Sequence, residues 1–88
     1  NIASYSFLTH IIAKHTGLEA KEFVYFLGNA HIYDDHIQQL KEQQQRNCYE
    51  FPTLTIKNKH ENINDYHESD IEIHNYHCHE TVKMKMRE

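Results

Sequence analysis

Phe23-Val24-Tyr25-Phe26-Leu27-Gly28-Asn29-Ala30-His31-Ile32-Tyr33 is the stretch on which the reading of this chain turns. Its first five residues are the most apolar run in the sequence, rich in aromatic and β-branched side chains. That composition predicts one long strand over residues 22–33. In a strand, alternate side chains share a face. Asn29, His31 and Tyr33 then stand on one side, and Gly28, Ala30 and Ile32 on the other. The first face carries three hydrogen-bonding groups in a row; the second is small and apolar. Gly28 sits where the run changes character, and a glycine inside a strand marks a bulge or a close approach. The strand begins as core and ends as a polar rim. His31 and Tyr33 are either functional there or the solvated end of a strand.

The surrounding chain bounds what that rim can serve. It has 88 residues, formal net charge −4 and 39% hydrophobic residues, with a mean hydropathy of −0.84. This is one small domain at most, and its apolar content is low for a self-sufficient core. Nine basic against thirteen acidic side chains give no basic patch, so no nucleic-acid partner is expected. No apolar run is long enough to cross a membrane, and no signal peptide is expected. Cys48 and Cys78 lie far apart and form no C-x-x-C pair. A disulfide between them stays open, with a reducing, cytoplasmic compartment as the default. The chain opens at Asn1 rather than Met, directly into a helical pattern, and is expected to be part of a longer protein.

In order, Phe7, Leu8, Ile11 and Ile12 mark one face of a helix over residues 2–15. Asn1 or Ser4 caps its start, and Gly17 fits its left-handed end. His15 near the end suits the helix dipole when protonated, and Tyr5 packs against the stripe. After the long strand, residues 34–46 form a largely surface helix. Asp34 and Asp35 at its start read as caps on free N–H groups rather than as a catalytic carboxylate pair. Residues 47–52 form a loop, and 53–57 alternate as a half-buried strand. A polar connection over 58–69 is anchored by Ile63 and Tyr66. Strands follow at 71–73 and 81–86, the latter with Val82, Met84 and Met86 inward and Lys83 and Lys85 outward. The class is α+β. Because residues 22–27 are apolar on both faces, they demand covering layers on both sides, of which this chain supplies one.

His74-Asn75-Tyr76-His77-Cys78-His79 invites a metal reading. Zinc sites need convergent ligands, usually as two spaced pairs. Here the ligands crowd one tract without a second pair, and only loop folding would bring His60 and His67 to it. Solvated loop histidines are the plainer account, and no metal is expected.

Two segments together resemble the thymidylate synthase family. Gly28-Asn29-Ala30-His31-Ile32-Tyr33, after Phe23-Val24-x-x-Leu27, is similar to its GDAHIY segment, and Asn1-Ile2-Ala3-Ser4-Tyr5 matches its NIASY segment, at a spacing that fits without a gap. Further matches are Leu40-Lys41-Glu42-Gln43 with Gln45-Arg46, Phe51-Pro52, and Tyr76, His79, Thr81, Lys83 and Met84 of a Tyr-x-Pro-His-Pro-Thr-Ile-Lys-Met segment. Cys78 and Glu80 replace the two prolines, and Asn29 replaces an aspartate.

The resemblance implies that residues 1–88 are the C-terminal part of a thymidylate synthase catalytic domain, with helices packed on a mixed, largely antiparallel sheet. The parent enzyme would methylate dUMP to dTMP with 5,10-methylenetetrahydrofolate as co-substrate, without a metal, as a cytoplasmic homodimer joined through the sheet. Asn1 would hold the pyrimidine, and His31 and Tyr33 the deoxyribose 3′-hydroxyl. Related dCMP hydroxymethylases carry aspartate at the position of Asn1. Met86 would lie on the folate, although the Met84-Lys85-Met86-Arg87-Glu88 terminus departs from the family's usual ending. The nucleophilic cysteine belongs to a Pro-Cys-His motif upstream, so this chain alone would be inactive. Two alternatives from other classes are a non-catalytic, His-rich metal-binding module and an inactive relative kept for dimerisation.

Overall fold

The computed structural model describes residues 1–87; Glu88, part of the divergent terminus noted above, lies outside the described residues. α1 spans Ile2–Thr16 and ends at Gly17, whose φ of 73° is left-handed. There the Gly17 N–H reaches the Lys14 carbonyl and the Leu18 N–H the Ala13 carbonyl, which satisfies acceptors that the last turn would leave free. Neither proposed residue caps the start through a side-chain acceptor. Asn1 makes no side-chain cap bond, and Ser4 Oγ donates to the Asn1 carbonyl at 3.0 Å.

A 3₁₀ turn over Asp34–His36 leads into α2, Ile37–Gln44. Asp34 and Asp35 stand in the first turn as expected, but the N-cap is Tyr33 and no side chain caps it. Asp35 instead binds Arg87, accepting from its Nε at 3.3 Å and from its Nη2. β1, Thr53–Ile56, pairs antiparallel with β2, Ile71–His74, in the register Thr53 to His74 and Ile56 to Ile71. The alternation of β1 turns Leu54 and Ile56 inward toward α1. Among the described residues, Ile11 from the helix and Ile56 from the strand are the buried apolar ones, each 9% exposed.

Two expected strands are absent among the described residues. Residues 22–33 and 81–86 make no ladder. A strand exists through its neighbours, because each N–H and C=O needs a partner, and no part of residues 1–87 lies alongside either segment as a strand. The local geometry of the first still keeps some period-two character: the rings of Phe23 and Tyr25 lie 5.8 Å apart, as for side chains two apart on one face. Gly28 has no positive φ, and a Cβ there would meet nothing within 4 Å. Neither a left-handed backbone nor a close approach accounts for it. In the last segment Val82 is half-buried, but Met86 is 94% exposed, so the inward set does not hold.

The chain leaves much of its apolar surface uncovered. Phe26 is 89% exposed, and the total accessible surface is 8425 Å². A folded monomer of 10.6 kDa exposes about 5,500 Å². The radius of gyration, 16.8 Å, also exceeds the ~12 Å of a compact chain of this length.

Candidate functional site

Asn1 stands at the open N-terminal end of α1. Its carbonyl accepts from Tyr5 N–H at 3.1 Å and from Ser4 Oγ, so its backbone is committed to the helix. Its side-chain amide takes no part in the cap, which leaves one donor and one acceptor group for a ligand.

His31 and Tyr33 are exposed, in the irregular run before α2. Tyr33 has extended backbone, φ −74° and ψ 146°, and its carbonyl accepts from His36 N–H at 2.9 Å. The Tyr33 ring meets the His36 ring edge-on at 5.5 Å. His36 in turn donates through Nε2 to the Lys85 carbonyl at 2.7 Å. The C-terminal segment is thus fastened beside the start of α2, at Lys85 through His36 and at Arg87 through Asp35. The Arg87 guanidinium holds the Asp35 carboxyl below the usual carboxylate range, first through its hydrogen bond and further through its charge.

Beside this contact lies a cleft of about 380 Å³ lined by Asp35, Gln39, Lys83, Met84 and Lys85. Gln39 Oε1 is buried there without a hydrogen-bond partner among the described residues, an acceptor left unpaired. Clefts of about 280 and 500 Å³ flank the contact between α1 and β1. None of these three is lined by Asn1, His31, Tyr33 or Met86.

A polar cluster that the sequence reading did not assemble ties the 57–70 connection to the end of α1. Asp70, 5% exposed, accepts from His67 N–H at 2.8 Å, from Asn58 Nδ2 at 2.9 Å and from His60 Nε2 at 2.9 Å. Tyr66 lies edge-on to His60, and its hydroxyl is 3.2 Å from His15 Nδ1. The available signal was an acid three residues after the start of a turn, the carboxylate half of a capping box. In the His-rich tract, His74 Nε2 lies 3.0 Å from Thr55 Oγ1, and His77 and His79 lie against Tyr49. Among the described residues no three His, Cys, Asp or Glu side chains are grouped to hold a metal ion, and no helix is long and apolar enough to cross a membrane.

Comparison with known proteins supplies what geometry alone does not. The family model described as thymidylate synthase matches residues 1–88. The chain is 49% identical over 86 residues to the thymidylate synthase of Saccharomyces cerevisiae, covering 98% of this chain and 28% of that protein. The thymidylate synthase of Homo sapiens gives the same identity and coverage. The bifunctional dihydrofolate reductase-thymidylate synthase of Plasmodium berghei is 46% identical over 86 residues, 15% of its length. The chain therefore spans less than a third of these relatives, and an identity near one half across nearly all of its residues leaves one conclusion: it belongs to the thymidylate synthase family.

Proposed function

We propose that residues 1–88 are the nucleotide-reading, C-terminal portion of a thymidylate synthase that converts dUMP to dTMP. The observation that carries this reading is the match to the family along all 88 residues. The unspent amide of Asn1 supports the role given to it. Its NH₂ donates to uracil O4 and its carbonyl accepts from N3–H. Cytosine presents an amino group and an unprotonated N3, which reverses both demands and leaves buried polar groups unpaired. His31 and Tyr33 bond the deoxyribose 3′-hydroxyl and set the sugar, and with it the pyrimidine ring, at a fixed distance from Asn1.

The thiolate that adds to C6 of dUMP belongs to the part of the parent enzyme outside these residues, so the isolated chain is inactive. Attack at C6 builds negative charge on O4. A donor already aimed at that oxygen stabilises the charge without reorganisation, an effect of about 3 kcal/mol where single donors have been removed from other enzymes. C5 then takes the one-carbon unit from 5,10-methylenetetrahydrofolate and loses its own proton. The folate returns a hydride to the new exocyclic carbon, leaving as dihydrofolate, and the thiolate is expelled from C6 to give dTMP, with Met86 offering its apolar side chain to the folate. The remainder of the catalytic domain and a second copy, docked through the sheet, cover the apolar surface that this chain leaves open. The enzyme is cytoplasmic.

The test uses the parent enzyme and its Asn1→Asp variant, with kcat/KM measured on dUMP and dCMP. A carboxylic acid in place of the amide moves preference toward dCMP. Unchanged base choice in an active variant overturns the assignment of Asn1, and absence of dTMP formation by the parent overturns the reading as a whole.

A further inference from the structure

Cys48 and Cys78 are far apart in sequence, but the fold brings the segments that carry them together. The chain leaving α2 meets the chain leaving β2 through side-chain contacts. Arg46 Nη1 donates to the Glu80 carbonyl at 2.7 Å, and His79 Nε2 donates to the Asn47 carbonyl at 2.7 Å. The Tyr49 ring stacks on His79 at 4.5 Å and lies 6.1 Å from the His77 ring. These side-chain contacts join residues 46, 47 and 49 to residues 77, 79 and 80. Cys48 and Cys78 lie within the two joined segments. Both cysteines line the same cleft, of about 450 Å³, and both are free and exposed. A disulfide spans Cα separations of about 4.4–6.8 Å, so the two segments must come that close at residues 48 and 78.

We propose that Cys48 and Cys78 are a thiol-redox site, a reversible intrachain disulfide that closes the exit of α2 onto the C-terminal segment. Its oxidant is a small-molecule disulfide of the glutathione type. One cysteine thiolate attacks a sulfur of the oxidised glutathione and displaces one glutathione thiolate, leaving a mixed disulfide. The second cysteine thiolate attacks the protein sulfur of that intermediate and expels the other. The protein dithiol gives up two electrons and two protons, and the glutathione disulfide takes them up as two thiols. Oxidation adds a covalent anchor to residues 79–87, whose far end is otherwise held by His36 at Lys85 and by Asp35 at Arg87.

The test equilibrates the full-length parent chain in glutathione buffers of graded ratio, quenches with acid, alkylates, digests with trypsin and maps the peptides. Expected is a joined pair, Asn47–Lys57 with His60–Lys83, that disappears in Cys48→Ser and in Cys78→Ser. Its exchange constant with glutathione should be at least about tenfold larger in the native chain than in denaturant, a shift of about 30 mV in potential. The Tyr49→Ala, His79→Ala double variant keeps both thiols but removes contacts that join the two segments, and its constant should fall toward the denatured value. Recovery of both cysteines alkylated or singly glutathionylated in every buffer overturns the proposal. So do linkage between chains, equal constants in the native and denatured chain, or a constant unmoved by the double variant.

Discussion

The Asp70 carboxylate and the His60 imidazole meet at 2.9 Å, Oδ2 to Nε2, inside the loop that joins the two strands. The Asp70 carboxyl is drawn down to about 2, first by the backbone N–H of His67 and then by the Asn58 amide, against desolvation that pulls it up. A carboxyl depressed in the folded state binds fewer protons there than in the unfolded chain at the same pH, so its contribution to stability is present above its unfolded value and lost as pH falls through the folded one. For Asp70 that window runs from about 4 down to about 2. Titration of the Asp70 carboxyl by NMR in the parent chain should show this depressed midpoint, returning to the ordinary aspartate value in urea. Asp70→Ala should speed hydrogen exchange at the His67 amide by about tenfold or more, because that N–H then has no acceptor. A midpoint near 4 in the native chain would mean that the cluster is not formed.

Gly17 supplies a second check, on the helix rather than the loop. Its φ of 73° lies where a Cβ crowds the following carbonyl, at a cost of about 1 kcal/mol for Ala. Space is not the issue, since an added Cβ would meet nothing within 4 Å. Gly17→Ala should therefore lower the thermal midpoint of the parent chain by about 2–4 °C, and Gly17→Asn by less, because Asn tolerates the left-handed region. Equal losses for the two would point to a packing effect.

These two sites show what the sequence could and could not disclose. The helix with its glycine end was legible because both signals are local: an apolar stripe at 3.6 spacing, and a residue without Cβ at its close. The pairing of β1 with β2 was half legible. Alternation marked each strand, but the register depends on the loop that the Asp70 cluster folds, and a hydrogen-bond network across Asn58, His60, His67 and Asp70 leaves no periodic trace. The strand expected over residues 22–33 failed for a different reason. Its apolar, β-branched composition states a need for covering layers, and composition cannot say whether the chain at hand contains them. Of the candidate site, Asn1, His31 and Tyr33 were named through resemblance, since a lone amide and two rim side chains carry too little pattern of their own.

The bond proposed between the Tyr33 hydroxyl and the 3′-hydroxyl of the nucleotide is separable from a packing role against His36. Tyr33→Phe keeps the ring and removes only the hydroxyl. Loss of one hydrogen bond of about 1 kcal/mol should reduce kcat/KM of the parent enzyme for dUMP roughly fivefold. The same variant should treat a 3′-deoxy analogue as the parent does, because neither partner of the bond remains. An equal loss on both substrates would assign Tyr33 to packing alone.

The exposed run Phe23–Leu27 decides how these residues behave without the rest of the catalytic domain. Two buried apolar residues, Ile11 and Ile56, cannot offset the chain entropy of a fold this size, which is of order 1 kcal/mol for each residue ordered. Meanwhile Phe26 and its neighbours present a contiguous apolar surface of the kind that drives association. The 88-residue chain prepared alone should bind a hydrophobic dye, melt without a cooperative transition by circular dichroism, and self-associate as its concentration rises. Phe26→Ser should weaken that association while leaving the non-cooperative melting as it was, because the residue contributes to an uncovered face and not to a core. In the parent enzyme the same substitution should instead lower stability by about 3 kcal/mol or more, as for a large apolar side chain truncated in a packed interior. Cooperative melting of the isolated chain, or tolerance of Phe26→Ser in the parent, would show that this run is not an interface awaiting its partner.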